Sequence, residues 1–567
     1  MDRYWLQHYP ANVPHGINPG EYASLRELIE KGCREHADKP AYTNMGTTLT
    51  FRELDARSRA FGAWLQREAG LKKGDRIALM MPNILQYPIA LFGALRAGLT
   101  VVNTNPLYTA RELEHQLKDS GARAIVVFEN AAHVLAEVID ETAVETVIVT
   151  GVGDLLSFPK SAVVNFVLRH VRGAVKPFQL PGAIAFTEVL QQGKWVDLEA
   201  VPLGHADIAF LQYTGGTTGV SKGAILTHRN LVANLLQTHA WLAQYEMPAE
   251  SPVVLCALPL YHIYALTSCA LSWLVTGGHN ILITNPRDMP AFVKELKAHR
   301  FNVMYGVNTL YNGLLHTPGI EEVDFSGLLS CNAGGMALQG AVAQKWEKLT
   351  GCMLGQGWGL TETSPVATVM PKDMPFNGSI GLPVPSTEIS IRDDDGNALP
   401  VGGHGEICVR GPQVMAGYWN RPDETAKVMF PDGWLRTGDI GRMDENGFTY
   451  IEDRKKDMIL VSGFNVYPNE VEGVVARHPG VVEVAAVSQA DEHSGEVVAL
   501  FVVRKDPALT TEDVIAFART ELTGYKVPRH VYFRDELPKT NVGKILRRSL
   551  RDELRDQLRR QALLADA

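Results

Sequence analysis

The sequence predicts an α/β protein: a large N-terminal domain of α/β sheets with a small β-barrel-like subdomain, followed by a small α+β C-terminal domain. Three observations predict it. The chain has 567 residues, too many for one ordinary core. Strand-like runs alternate with amphipathic helices over roughly the first four hundred residues, the pattern of parallel sheets joined by crossover helices. The texture then changes twice, near Gly402 and again after Asp453.

The elements follow in order. Arg76–Met80 reads as a strand and Tyr87–Ala97 as the helix after it. Arg111–Lys118 is a helix that leads into a strand at Ala124–Val127. Ile208–Gln212 and Ala224–Leu226 are strands on either side of a Gly/Thr-rich loop, and a helix begins after Thr227. From about Gly402, GEICVRG and GFTYIEDR are short strands between Gly and Pro turns. Beyond Asp453, Pro468–Arg477 is helical, with proline at the start where its missing N–H costs nothing. Strands at Val481–Ser488 and Val497–Val503, a helix at Thr511–Leu522, a strand at Val531–Arg534 and a charged helix from about Ile545 complete the second module. The link near Arg454–Lys456 is polar and charged, as hinges often are.

Two stretches bear on membranes. Ser251–Pro286 contains no Asp, Glu, Lys or Arg and is long enough to span a bilayer. Pro252, Pro259, Gly277, Gly278, His279 and Asn280 interrupt it. It is read as a core βαβ-like unit: strand Val253–Leu258, buried helix about Tyr264–Val275, strand Asn280–Thr284. The second stretch, Asp154 to Glu188, has no acid between its ends, while Lys160, Arg169, Arg172 and Lys176 are basic and Val163, Val164, Phe166, Val167, Leu168 and Val171 apolar. A basic amphipathic helix lies on anionic membranes. The competing reading is an insertion packed on its own domain or on the partner subunit of a homodimer.

Composition excludes other classes. With 46% apolar and 21% charged residues the bulk of the chain is not disordered. A net charge of −9 leaves no basic footprint, so nucleic acid is not expected as a partner. The six cysteines form no C-x-x-C pair and no zinc spacing, which suits a reduced compartment. MDRYWLQHYP has no apolar signal region and ALLADA is no peroxisomal or ER address. The expected location is cytoplasmic, with peripheral contact on the cytoplasmic face of the membrane left open.

The most informative segment is Tyr213-Thr214-Gly215-Gly216-Thr217-Thr218-Gly219-Val-Ser-Lys222-Gly223. Glycines let several backbone N–H groups point at one anion, threonine hydroxyls donate to phosphate oxygens, and Lys222 adds charge. No G-K-[ST] occurs at Walker spacing, and the loop lies between two strands.

This segment resembles the phosphate loop of the adenylate-forming superfamily: acyl-CoA synthetases, luciferases and peptide-synthetase adenylation domains. The superfamily's further motifs follow in order. Gly357-Trp-Gly-Leu-Thr-Glu362 is similar to the adenine and magnesium motif, Thr437-Gly-Asp439 to the ribose motif, Asp453-Arg-Lys-Lys-Asp457 to the hinge, and Pro538-Lys-Thr-Asn-Val-Gly-Lys544 to the catalytic-lysine motif. Asp432-Gly-Trp-Leu-Arg-Thr-Gly-Asp439, running on to Lys456, resembles the fatty acyl-CoA synthetase signature, and ALPLYHIYALT and ELPKTNVGKILRR resemble the bacterial long-chain members. Arg436 stands where many members have His, and Trp358 where Tyr or Phe is usual. The resemblance covers essentially the whole chain. It implies an N-terminal adenylation domain at 1–452, a hinge at 453–457, and a mobile C-terminal domain at 458–567.

It also implies roles. Lys544 would meet the reacting phosphate, Glu362 would hold Mg²⁺, and Thr361 sits beside it in the catalytic motif. Tyr213, Thr214, the loop and Lys222 would bind phosphate. Gly334 and Gly335 would let backbone approach the nucleotide or the acyl carbonyl, alongside Gln356 and Gly357. Trp358 would offer adenine a flat face, ordinary core packing being the alternative. Asp439 would accept both ribose hydroxyls, and Arg454 would touch ribose or phosphate. Ser462, Gly463 and Asn465 would line the CoA path after the module rotates. The acyl pocket would draw on Gly306, Val307 and Asn308 and on the helix after His262. His262 is either a gate at the acyl site or a hydrogen-bonded core histidine.

The implied activity is ATP-dependent conversion of a long-chain fatty acid to its CoA thioester through acyl-AMP, with Mg²⁺ as cofactor and fatty acid, ATP and CoA as partners. A medium-chain or aryl acyl-CoA ligase and a non-catalytic fatty-acid-binding protein remain alternatives. A peptide-synthetase module is disfavoured because little chain follows Lys544.

Overall fold

The computed structural model describes residues 3–214, 220–248, 250–454, 456–491, 493–540 and 542–565. The predicted alternation forms two large sheets. In the first, parallel strands Ile208–Thr214, Thr100–Asn103, Arg76–Met80, Ala124–Phe128, Thr146–Thr150 and Ile184–Ala185 lie side by side, and Lys222–Thr227 adds antiparallel to Ile208–Thr214. In the second, Leu354–Gly359, Ser330–Ala333, Val303–Gly306, Val253–Cys256, His279–Leu282 and Pro40–Asn44 form the parallel centre.

Helix Gln86–Arg96 is buried along its whole length, as its almost uninterrupted apolar sequence requires. It packs on Phe51–Arg67, and a Cβ at Gly62 would lie 2.6 Å from the Gly93 carbonyl, so glycine permits backbone contact there. Its one charge, Arg96, is buried against Asp55 Oδ1 (2.5 Å) and Ser58 Oγ (2.7 Å).

The uncharged run folds inward, as expected. Val253–Cys256 and His279–Leu282 are adjacent parallel strands joined by a helical run Ile263–Leu274, whose middle turn, Leu266–Leu271, is π-helical. Among the described residues no helix is long and apolar enough to cross a membrane.

Glu388–Arg392, Gly405–Arg410, Leu435–Met443 and Thr449–Arg454 form an antiparallel sheet, the second texture predicted. The barrel-like expectation is met only as a sheet: its four strands form an open path whose two ends are not hydrogen-bonded to each other.

The C-terminal module has its own core, with Val471, Val475, Val484, Leu500 and Val514 buried together. Its sheet pairs Val481–Asp491 with Gly495–Arg504, and His530–Arg534 runs parallel to the latter. The helix Lys160–Phe166 continues as a π-turn to Val171. Val164 and Leu168 pack on the main core, while Phe158, Val163, Phe166 and Val171 face outward.

Candidate active site

A cavity of about 1030 Å³ opens where parallel strands end, the usual place for ligands in open α/β sheets. Thr214, Gly334 and Gly335, Gly357–Glu362 and Thr437–Gly438 line it from the N-terminal domain. Arg454, at the end of the strand Thr449–Arg454, Lys456 just after it, and Lys544 of the C-terminal module complete the lining.

Lys544 is positioned from both sides. Its own turn is tied by Thr540 Oγ1, which accepts from the Lys544 N–H at 3.0 Å. The preceding carbonyl, Gly543 O, accepts from Thr309 Oγ1 at 2.8 Å, docking the turn onto the N-terminal domain. The lysine side chain then passes over Gly335: a Cβ there would lie 3.0 Å from Lys544 Cε, and Gly335 has φ +77°. Burial pushes the amine down to about 8, and the charge of Arg454 pushes the same way.

Asp439 is 2% exposed and both its oxygens are engaged. Oδ1 pairs with Arg454 Nε at 2.5 Å, and Oδ2 accepts from the Trp358 indole N–H at 2.9 Å. Burial raises its pKa, against the pull of Arg454. Thr437 and Gly438 reach the cavity wall, whereas Asp439 sits behind them. Asp439, expected to accept both ribose hydroxyls, here gives one oxygen to Arg454 and the other to the Trp358 N–H. Trp358 is buried and also lines the cavity, so packing and an exposed ring face coexist.

At the other end, Glu362 Oε1 accepts from Tyr418 Oη at 2.6 Å, and Thr361 lines the wall beside it. Lys222 Nζ pairs with Glu424 Oε2 at 2.5 Å and lies over the Tyr418 ring, 4.9 Å from its centroid. Lys222 and Lys427 hold the Glu424 carboxyl down to about 2. Tyr213 lines the cavity and its hydroxyl donates to Asp119 Oδ2 at 2.7 Å. Gly215, Gly216, Thr217, Thr218 and Gly219 lie outside the described residues, as does Lys455 of the hinge.

His262 lines the cavity, and its Nδ1 accepts from the Tyr264 N–H at 3.3 Å, which leaves the ring proton on Nε2. Burial, then the charge on Lys544, lowers its pKa to about 3, so the ring is neutral. It is both a hydrogen-bonded histidine and a wall residue.

The expected acyl lining is only partly met. Gly306, Val307 and Asn308 are not on the wall. A Cβ at Gly306 would meet Tyr311 at 2.7 Å, and Asn308 Oδ1 is used to hold the Gln339 N–H (3.0 Å). Gln356 is likewise buried outside the lining. Ile263, Tyr264 and Ser268 of the helical run after His262 do line it, and further wall comes from Thr238, Trp241, Leu242 and Tyr245 together with Tyr305 and Val369. Thr238, Trp241, Leu242 and Tyr245 have i, i+3, i+4, i+7 spacing, a signal present in the sequence but shared with any helix that packs on a core.

Ser462 and Gly463 form the exposed hairpin turn between Ile459–Val461 and Phe464–Val466, Asn465 lies exposed in the second of these strands, and none of the three lines the cavity. The structure thus places Lys544, Glu362, Trp358, Arg454 and His262 around one space and leaves Ser462–Asn465 outside it.

A family model described as AMP-binding enzyme matches residues 29–419, and one described as AMP-binding enzyme C-terminal domain matches 470–544. The chain is 58% identical to the long-chain-fatty-acid–CoA ligase of Escherichia coli O6:H1, covering 97% of this chain and 98% of that protein. It is 53% identical to the enzyme of that name from Haemophilus influenzae, over 97% and 98% respectively. The ATP-bound structure of MatB from Rhodopseudomonas palustris superimposes with a TM-score of 0.80 at 28% identity, covering 94% of this chain and 99% of that one.

Proposed function

Because this chain belongs to the AMP-binding enzyme family, we infer that it activates long-chain fatty acids with ATP and transfers them to CoA. The observation that carries the reading is the arrival of Lys544, from the C-terminal module, in a cavity that also holds Glu362, Trp358 and an apolar wing.

The chemistry runs in two halves. A fatty carboxylate oxygen attacks the α-phosphorus of ATP, the bond to the bridging oxygen breaks, and pyrophosphate leaves. The CoA sulfur then attacks the acyl carbon and AMP leaves. The first half brings two anions together, so cationic donors must converge. The Lys544 ammonium sits where it can donate to the α-phosphate as charge builds, and Lys222 is the cation for the outer phosphates once exchanged from Glu424. The neutral His262 ring offers Nε2–H at the entrance to the acyl wing, where it orients the carboxylate without neutralising it. The hydrophobic wall takes the chain at about 0.8 kcal/mol per buried methylene.

Mg²⁺ supplies phosphate charge neutralisation when bound. Glu362 fits as its protein ligand. It is one carboxylate held by Tyr418, and no cluster of three ligating side chains exists among the described residues. That suits an ion that takes most of its ligands from phosphates and water. For the second half, the C-terminal module swings about Lys455–Lys456, withdrawing Lys544 and bringing Ser462–Asn465 to the CoA path. Pyrophosphate and AMP release with a panel of medium- to long-chain acids, with and without CoA, tests the reading. Turnover needing a long chain and CoA is expected; stalling at acyl-AMP would overturn the role of Ser462–Asn465.

A second proposal concerns membranes. Phe158 is 85% and Val171 68% exposed, beside exposed Arg172 and Lys176. We propose that this edge rests on anionic lipid. Sedimentation with vesicles containing phosphatidylglycerol should fall in Phe158→Ser/Phe166→Ser; unchanged sedimentation would sink the idea.

A further inference from the structure

We propose that Glu424 is a resident anion of the ATP site: it holds Lys222 and Lys427 until the outer phosphates displace it, and it competes for them again to help expel pyrophosphate. This rests on the ligase reading above, in which Lys222 meets those phosphates.

The fold sets this contact in place. The short strand Gly417–Tyr418 pairs with Lys222–Thr227, and the Trp419 N–H donates to Gly223 O at 2.8 Å. Thr425 Oγ1 accepts from the Tyr418 N–H at 2.9 Å, which ties the helix Pro422–Val428 to that strand pair. Glu424, in the first turn of the helix, is thereby brought beside Lys222, the first residue of its strand. The two carboxylate oxygens are divided. Oε2 pairs with Lys222 Nζ and Oε1 with Lys427 Nζ, each at 2.5 Å. All three residues line the cavity, and the Lys222 and Glu424 side chains are 26% and 32% exposed, so an entering anion can reach both partners. Tyr418, whose ring lies under Lys222, donates its hydroxyl to Glu362, so the pair adjoins the carboxylate assigned to Mg²⁺.

The exchange follows from the charges. Two lysines and one carboxylate leave this part of the wall with one net positive charge, and Glu424 cancels the rest from within. Arg421, on the same wall, is paired separately with Asp119 at 3.1 Å. Lys222 and Lys427 hold the Glu424 carboxyl down to about 2, so it stays charged at any working pH and is relieved only by another anion. A triphosphate carries several charges to the two lysines and displaces a single carboxylate. Once the bond at the α-phosphorus is broken, the tethered carboxylate competes with the departing pyrophosphate for the same cations. A neutral side chain at this position would leave both anions held more tightly. Unit charges about 4 Å apart still interact by about fivefold or more in an equilibrium constant at a wet surface.

The test compares the full-length protein with Glu424→Gln, which keeps the side-chain shape and removes the charge. Titration calorimetry measures binding of inorganic pyrophosphate with Mg²⁺, without fatty acid or CoA. Turnover assays measure inhibition by pyrophosphate against ATP. In Glu424→Gln the pyrophosphate Kd and inhibition constant should both fall about five- to tenfold, with KM for ATP falling alongside. The difference should shrink at high salt. Glu424→Ala should shift pyrophosphate binding in the same direction, and thermal midpoints confirm that both variants are folded. A role confined to supporting Lys222 would give the opposite sign, because the lysine would lose its partner. Pyrophosphate binding that is unchanged or weaker in Glu424→Gln would therefore overturn the proposal while leaving the ligase reading intact. Absence of pyrophosphate release from the unsubstituted protein with every acid would instead remove the ligase reading.

Discussion

Arg454 and Asp439 are register partners across the antiparallel pair Leu435–Met443 and Thr449–Arg454, and their side chains form an ion pair with Nε 2.5 Å from Oδ1. The contact joins Arg454, at the end of its strand, to a buried carboxylate whose other oxygen accepts from Trp358. Asp439 is thereby held in place and satisfied before a nucleotide arrives. On the reading proposed above, ribose binding would exchange one set of donors for another, which avoids leaving a buried charge bare.

Asp439→Asn tests that exchange. The amide keeps the shape but turns its NH2 donor toward either Arg454 or the Trp358 N–H, both of which already donate. Leaving buried donors unmatched costs about 1–3 kcal/mol, so kcat/KM for ATP should fall about tenfold or more. Steady-state kinetics at saturating fatty acid and CoA will show whether the loss appears as a raised KM for ATP. An unchanged KM would mean that the carboxylate only holds Arg454.

Lys544→Ala should separate the half-reactions. Removing one well-placed transition-state donor typically costs about 10²–10³ in rate, so pyrophosphate release should drop by that factor. Thioester formation from supplied acyl-AMP should continue, because that step uses the orientation in which Lys544 is withdrawn. Equal loss in both steps would contradict the assigned role.

The amine also sets a pH limit. Its pKa is lowered from the ordinary lysine value to about 8 by burial first and Arg454 second. Below that pH it carries the charge the phosphate needs; as pH rises through about 8 the charge is lost. Since kcat/KM reports free-enzyme ionisations, kcat/KM for ATP should decline on the alkaline side near that value. Lys544→Arg should abolish the decline, because guanidinium stays protonated.

Much of this arrangement is legible in the sequence because its signals are local. Alternating apolar runs mark the strands, and Thr227 and Thr510 cap helices where a following Asn230 or Asp513 returns the bond. What fails is whatever depends on distant packing. Gly306, at a strand end, reads as room for a ligand, yet the room is filled by the Tyr311 ring. The partner of Lys222, Glu424, is supplied from across the chain, and no spacing rule reaches it. The cavity wall on Thr238, Trp241, Leu242 and Tyr245 has the periodicity of a core-facing stripe, so only the empty space beside it distinguishes the two.

The sharpest geometric prediction concerns Gly335. Its φ of +77° is strained for any L residue with a Cβ, and that Cβ would stand 3.0 Å from Lys544 Cε and 3.9 Å from Val307 Cγ1. The backbone penalty for Gly335→Ala is about 1–2 kcal/mol of stability. The second effect is separate: the end of the lysine chain is flexible and will move, and a displacement near 1 Å can cost about 10²-fold in rate. Gly351 isolates the two effects. It has φ +69° at the end of the helix Gly340–Thr350, with nothing within 4 Å of a built Cβ. Gly351→Ala should therefore lose comparable thermal stability yet release pyrophosphate at the normal rate. Gly335→Ala should lose stability and at least tenfold in that rate, with thioester formation from acyl-AMP spared. If both variants slow pyrophosphate release equally, backbone strain and not the placement of Lys544 accounts for the effect. If only Gly335→Ala slows it, the glycine is kept there to let the lysine pass.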